Sequence, residues 1–136
     1  MTAPGNPPLI WVIAGEPSGD LIGARFIAAL REANGGRVNV VGIGGEAMAA
    51  EGLDSLFPIS DIAVMGLVEI IPRIPLIKRR MRETIAQIKR DQPAMVVSID
   101  VPGFCYDVWK GLRDTDIPLV HYVAPTVWAW RPDRAT

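Results

Sequence analysis

Cysteine occurs only once in the 136 residues, at Cys105. No internal disulfide and no multi-cysteine zinc site can be built, which fits a reducing compartment such as the cytoplasm. Positive charge is not in excess either: 14 Lys and Arg face 15 Asp and Glu, for a net charge of −1. Without a global positive field, nucleic acid is not the expected partner. Long apolar runs are missing as well. Glu69, Pro72, Arg73 and Pro75 interrupt the best candidate, well short of the roughly 18 to 20 residues a membrane-spanning helix needs. Met1 to Pro8 has no basic start and no cleavage pattern, so it reads as a flexible tail over 1–8, not a signal peptide. There is no G-x-x-x-x-G-K-[ST] phosphate loop, no G-x-S-x-G nucleophile elbow, no internal repeat and no low-complexity segment.

What is present is a hydrophobic content of 49%, enough for one core, and one domain is expected over 9–136. Leu9 to Ala14, Val38 to Ile43, Ala94 to Ile99 and Pro118 to Tyr122 are short apolar runs closed by Gly, Asp or a loop. In the first three this is the pattern of strands buried on both faces of a parallel sheet, and Pro118 to Tyr122 reads as a further strand. Between them, Leu21, Ala24, Ile27, Ala28 and Leu30 recur at helical spacing up to Gly35 and Gly36, and Glu46 to Ala50 reads as a short helix closed by Gly52. Ile74, Ile77, Met81, Ile85 and Ile88 mark one face of a helix from about Pro75 to Arg90, with a basic opposite face. A further helix is expected from Cys105 to Arg113, and a short strand near Ile62 to Met65, for about five strands in all. The alternation predicts an α/β fold: a Rossmann-like parallel sheet flanked by helices, with right-handed crossovers.

Open α/β sheets bind ligands outside the carboxyl ends of their strands. After the first strand stands Gly15–Glu16–Pro17–Ser18–Gly19–Asp20, where glycines let backbone N–H groups approach a ligand and a helix start favours an anion or a hydroxyl-rich group. A tight turn with a helix cap would also account for this stretch, though it explains Glu16 least. After the second strand, Gly42–Ile43–Gly44–Gly45–Glu46–Ala47 formally satisfies G-x-G-x-x-A. The acidic residue required about twenty positions on would be Glu69, in no clear second strand, so nicotinamide binding is not expected. Asp100 closes the third apolar run before Val101–Pro102–Gly103–Phe104. A carboxylate emerging there, partly desolvated, suits a general base. Its alternative use as a helix cap is disfavoured if the next helix begins only near Cys105.

After the last strand, His121–Tyr122–Val123–Ala124–Pro125–Thr126–Val127–Trp128–Ala129–Trp130–Arg131 crowds aromatics, a histidine and an arginine into a composition suited to a sugar or a phosphate. A packed histidine, with tryptophans covering the core, is the plainer use of the same residues. The apolar stretch holding Val68, Ile70, Ile71, Ile74 and Ile77, followed by Lys78 and Arg79, could lodge in an anionic membrane interface or serve as ordinary core beside a solvated basic face.

Four motifs in order, Gly15 to Asp20, Val64–Met65–Gly66–Leu67–Val68–Glu69, Ile99–Asp100–Val101–Pro102 and His121 to Arg131, closely resemble the amino-terminal half of lipid-A-disaccharide synthases. The resemblance covers about residues 9 to 134. It implies the amino-terminal half of a glycosyltransferase-B-like fold that moves 2,3-diacylglucosamine from UDP to the 6-hydroxyl of 2,3-diacylglucosamine 1-phosphate, giving a β-1,6 disaccharide with inversion. It implies no cofactor and no metal. Asp100 matches the family carboxylate that takes the acceptor proton, and Glu16 a second residue needed for activity. Gly15, Ser18, Gly19, Asp20, Gly44, Gly45, His121, Trp128 and Arg131 are the expected substrate-binding positions.

The resemblance further implies peripheral attachment to the cytoplasmic face of the bacterial inner membrane through Val68, Ile70, Ile71, Ile74, Ile77, Lys78 and Arg79. Gly103 stands where many relatives carry a second acidic residue, so Asp100 is expected to act without that neighbour. Family members continue into a carboxy-terminal domain that holds most of the UDP site, so this segment is expected to be the acceptor side and inactive alone. The alternative is a non-catalytic fragment that binds acylated sugar or a membrane surface.

Overall fold

The computed structural model describes residues 7–62, 71–99 and 102–122, with side chains for all of these except 71, 102 and 103. Four strands form a single parallel sheet: β1 (Leu9–Ala14), β2 (Asn39–Ile43), β3 (Met95–Ile99) and β4 (Leu119–Tyr122), in the order β2-β1-β3-β4. The helices are α1 (Pro17–Ala33), α2 (Glu46–Ala50), α3 (Ile74–Asp91) and α4 (Pro102–Gly111), with 3-10 turns at Ile59–Asp61 and Ile71–Arg73. The chain leaves β1 in one direction to form β2 and in the other to form β3. The switch point of the sheet therefore lies between β1 and β3, where ligands of this architecture bind.

Side chains alternate across each strand, so an unbroken apolar run feeds two cores at once. Trp11, Ile13, Ile43 and Val96 face α3 and α4, meeting Ile88, Phe104, Cys105, Val108 and Leu112. Ile10, Val12, Ala14, Val40, Val97 and Ile99 face the other way, onto Ile27 of α1 and Met48 of α2. The Trp11 ring is almost wholly buried and spends its Nε1–H on Asp91 Oδ2 at 2.9 Å, tying β1 to the last turn of α3. Arg80 fixes the other half of α3. Its Nε donates to Asp61 Oδ2 at 2.9 Å and its terminal nitrogen to Glu83 at 2.8 Å, while the guanidinium lies 5.1 Å from the centre of the Phe57 ring.

Three sequence expectations change. Ile77, Met81, Ile85 and Ile88 do pack into the core, but Ile74, the first residue of α3, is 39% exposed, because the apolar stripe meets the sheet only from the second turn onward. α4 begins at Pro102, three residues before Cys105. Proline at a first helical position costs no hydrogen bond, so the helix can start there. Ile62 ends a 3-10 turn and is not the start of a strand, residues 63–65 lie outside those described, and four strands are present among the described residues.

Candidate active site at the strand ends

β1 ends at Ala14, and Gly15 turns the chain into α1. Glu16 is the N-cap residue with extended backbone (φ −155°, ψ 165°), and its carbonyl accepts from Asp20 N at 2.9 Å. Its carboxylate makes no capping bond to the helix. It is exposed, and among the described residues its one hydrogen-bond partner is the Ser18 hydroxyl, which donates to Oε1 at 3.1 Å. The Glu16 carbonyl thus takes the first helical bond of α1, while its side chain caps none of the first-turn N–H groups.

Gly19 seats this turn against the neighbouring strand. A Cβ added there would stand 3.3 Å from the Ile99 carbonyl oxygen and 3.5 Å from Ala14 Cβ, so the start of α1 crosses the ends of both β1 and β3. Ile99 is in register with Ala14 on one side and with Tyr122 on the other. The Gly15–Gly19 turn and the ends of β3 and β4 therefore share one edge of the sheet at its switch point. Asp100, the expected base, lies outside the described residues, as do Trp128 and Arg131. The early start of α4 bears on Asp100: only one residue separates it from that helix, so remoteness no longer argues against a capping role.

Asp20, Gly44 and Gly45 are brought together, but on one another. The buried Asp20 carboxylate accepts from Gly45 N at 2.8 Å, Ala47 N at 2.9 Å and Met48 N at 2.9 Å. It caps α2 from a different helix, and a Cβ on Gly45 would fall 2.7 Å from its Oδ2. Gly44 N donates to Ser55 Oγ at 3.1 Å. With these amides occupied by protein acceptors, the loop after β2 presents none of them to a phosphate, which removes the physical basis for dinucleotide binding there.

His121 lies in β4 directly opposite Ser98 of β3. Its Nδ1 is 2.7 Å from Ser98 Oγ, and its ring meets Trp109 edge-on, with centroids 5.2 Å apart at 90°. Cys105, Tyr106, Trp109 and His121 line a cavity of about 190 Å³. Burial pushes the Cys105 thiol up to about 12, only partly offset by the Ser98 hydroxyl, so it stays protonated and is no nucleophile near neutral pH. Ser98 went unread in the sequence; the one available signal was a hydroxyl inside an otherwise apolar strand, Met95–Ile99. A larger open depression of about 410 Å³, lined by Gln92, Pro93 and Asp114 to Pro118, sits at the opposite, amino-terminal edge of β3 and β4, away from this chemistry.

Of the expected membrane-contact residues, Ile77 packs against the core, whereas Ile74, Lys78 and Arg79 are exposed on the first turns of α3. Val68 and Ile70 and the side chain of Ile71 lie outside the described residues. No helix among the described residues is long and apolar enough to cross a membrane.

A lipid-A-disaccharide synthase from Rhodospirillum centenum is 53% identical over 132 residues, covering 96% of this chain and 33% of that protein. One from Paramagnetospirillum magneticum is 54% identical over 128 residues, covering 93% and 33%, and one from Granulibacter bethesdensis is 48% identical over 127 residues, covering 93% and 32%. The chain thus spans about a third of the length of these relatives. The family model of lipid-A-disaccharide synthetase matches residues 10–136, nearly the whole sequence, and the chain belongs to that family.

Proposed function

We propose that this chain is the acceptor-side part of an inverting glycosyltransferase of lipid A biosynthesis. The enzyme transfers 2,3-diacylglucosamine from UDP to the 6-hydroxyl of 2,3-diacylglucosamine 1-phosphate, and donor-nucleotide binding falls mainly to sequence outside this segment. The observation that carries the reading is the exposed Glu16 carboxylate, which caps no helix, on a turn held by Gly19 against the end of β3, at the switch point of the sheet.

In the proposed reaction the acceptor oxygen attacks the anomeric carbon as Asp100 takes its proton. The bond from that carbon to the phosphate oxygen breaks with its electron pair leaving on UDP, and the configuration inverts. Glu16, exposed and hydrogen-bonded by Ser18, orients sugar hydroxyls beside that centre. His121, Trp128 and Arg131 contribute to the sugar and phosphate contacts. Exposed Ile74 beside Lys78 and Arg79 supports peripheral binding to an anionic bilayer, where both acylated substrates reside.

Asp100→Asn in a full-length enzyme carrying this segment should lower turnover by about two to four orders of magnitude, the usual worth of a general base, without unfolding the protein. An unchanged rate of disaccharide formation would refute the assignment. The same exposed apolar and basic turn supports a second reading, a segment that binds acylated sugar or membrane without catalysis. Liposome binding that survives Asp100→Asn, alongside unchanged turnover, would favour it.

A further inference from the structure

Ser98 is the one polar side chain of β3, wholly inaccessible to solvent, and its hydroxyl proton must be spent inside the protein. Three acceptors are within reach: His121 Nδ1 at 2.7 Å, the Val120 carbonyl oxygen at 3.4 Å and the weakly accepting Cys105 sulfur. A hydroxyl donor prefers roughly 2.5 to 3.0 Å, so the carbonyl is a poor partner and the imidazole nitrogen a good one. The opposite polarity, Nδ1–H donating to Ser98 Oγ, would leave the serine proton only the distant carbonyl or the weakly accepting Cys105 sulfur. The cross-strand register of Ser98 and His121 and the perpendicular Trp109 ring hold this geometry from two sides.

We propose that Ser98 is a positioning residue that fixes His121 as its Nε2–H tautomer, by donating to Nδ1 from inside the sheet. The ring then presents a single N–H donor away from β3, and no described group is hydrogen-bonded to Nε2. Such a fixed donor is what a sugar hydroxyl or phosphate oxygen at the end of β4 requires, and in this respect the inference rests on the functional reading above.

His121 is the only histidine in the sequence, so its ring nitrogens can be read without assignment in the 136-residue chain labelled with 15N-histidine. At pH 8.5, above the ordinary imidazole range, long-range 1H–15N spectra should show Nδ1 unprotonated and Nε2 protonated. Ser98→Ala should draw the two nitrogen shifts toward each other as tautomers exchange, and Ser98→Thr, which keeps the hydroxyl, should restore the parent pattern. A protonated Nδ1 in the parent chain, or an identical pattern in Ser98→Ala, overturns the hydrogen-bond assignment; the parent spectrum decides this even if the alanine variant fails to fold. In the full-length enzyme, Ser98→Ala should raise the acceptor KM about five-fold with kcat little changed, the cost of one misdirected hydrogen bond. A lost tautomer preference with unaltered KM overturns the positioning role, whereas an unmodified enzyme that forms no disaccharide overturns only the functional reading beneath it.

Discussion

Replacing Asp20 with alanine tests whether that carboxylate serves the fold or a ligand. The side chain is 7% exposed and accepts three backbone N–H bonds, at 2.8, 2.9 and 2.9 Å, from residues 25 to 28 positions further along the chain. Hydrogen bonds to a charged group are worth about 1.5–3 kcal/mol each, but the three share one acceptor and do not add. Water can reach the Gly45 and Ala47 amides once the carboxylate is gone, while the buried Met48 amide is left with a desolvation cost of about 1–3 kcal/mol. A loss of about 3 kcal/mol in total is expected, above the 0.5–2 kcal/mol of an ordinary helix cap. For a domain of this size that corresponds to a fall in Tm of roughly 10 °C. Urea unfolding followed by tryptophan fluorescence should show a lower midpoint with an unchanged slope. Asp20→Asn keeps an oxygen for Gly45 and Met48 but loses the charge and the bond to Ala47, so it should cost about half as much. A Tm within 2 °C of the parent for Asp20→Ala, combined with lost acceptor binding, would show that the carboxylate serves the ligand and that the structural argument is wrong.

Three further outcomes follow from the packing. Gly42 has φ +148°, and an added Cβ would collide with the Val12 carbonyl oxygen of the paired strand, so Gly42→Ala should destabilise the chain by about 3 kcal/mol or more and reduce the soluble yield; near-parental urea stability would contradict the β1–β2 register. Cys105 should resist alkylation at pH 8 in the folded chain and react only at the rate of unfolding, measured with and without urea. Because its folded value lies near 12 against an ordinary 9.0, the folded state holds the thiol proton more tightly than the unfolded state does. Its contribution to stability is therefore complete below about pH 9 and is lost progressively as pH rises toward 12, a trend that Cys105→Ala should remove from alkaline unfolding curves.

Much of the architecture is local in origin and was readable from residue order. The four apolar runs became β1 to β4, with boundaries moved by one residue at most; continuous hydrophobicity marks β1 and β3 as strands buried on both faces, whereas β4 leaves Val120 and Tyr122 exposed. The carboxyl edge of the sheet was legible for a related reason: in a parallel α/β sheet the carboxyl end of every strand faces the same way, so Gly15 to Asp20 and His121 had to lie toward that edge. At Glu16 the sequence reading that capping explains this residue least agrees with the structure to this extent: its side chain makes no capping bond.

The sequence by itself therefore determined the element alternation, the residues that follow each strand at its carboxyl end, and the family motifs. Tertiary structure decided what each polar group there is used for. Asp20 and Gly45 look like separate ligand contacts in the sequence because nothing local says that the N-terminus of α2 will be set down on Asp20. Ser98 looks like a lapse in an apolar strand until the register places it opposite His121. Ile74 fits the helical stripe by spacing, yet stays exposed because α3 meets the sheet only beyond its first turn. Periodicity encodes which face of an element is apolar. Partners 20 or more residues apart are set by strand order, register and docking, and these come from all the elements packing at once.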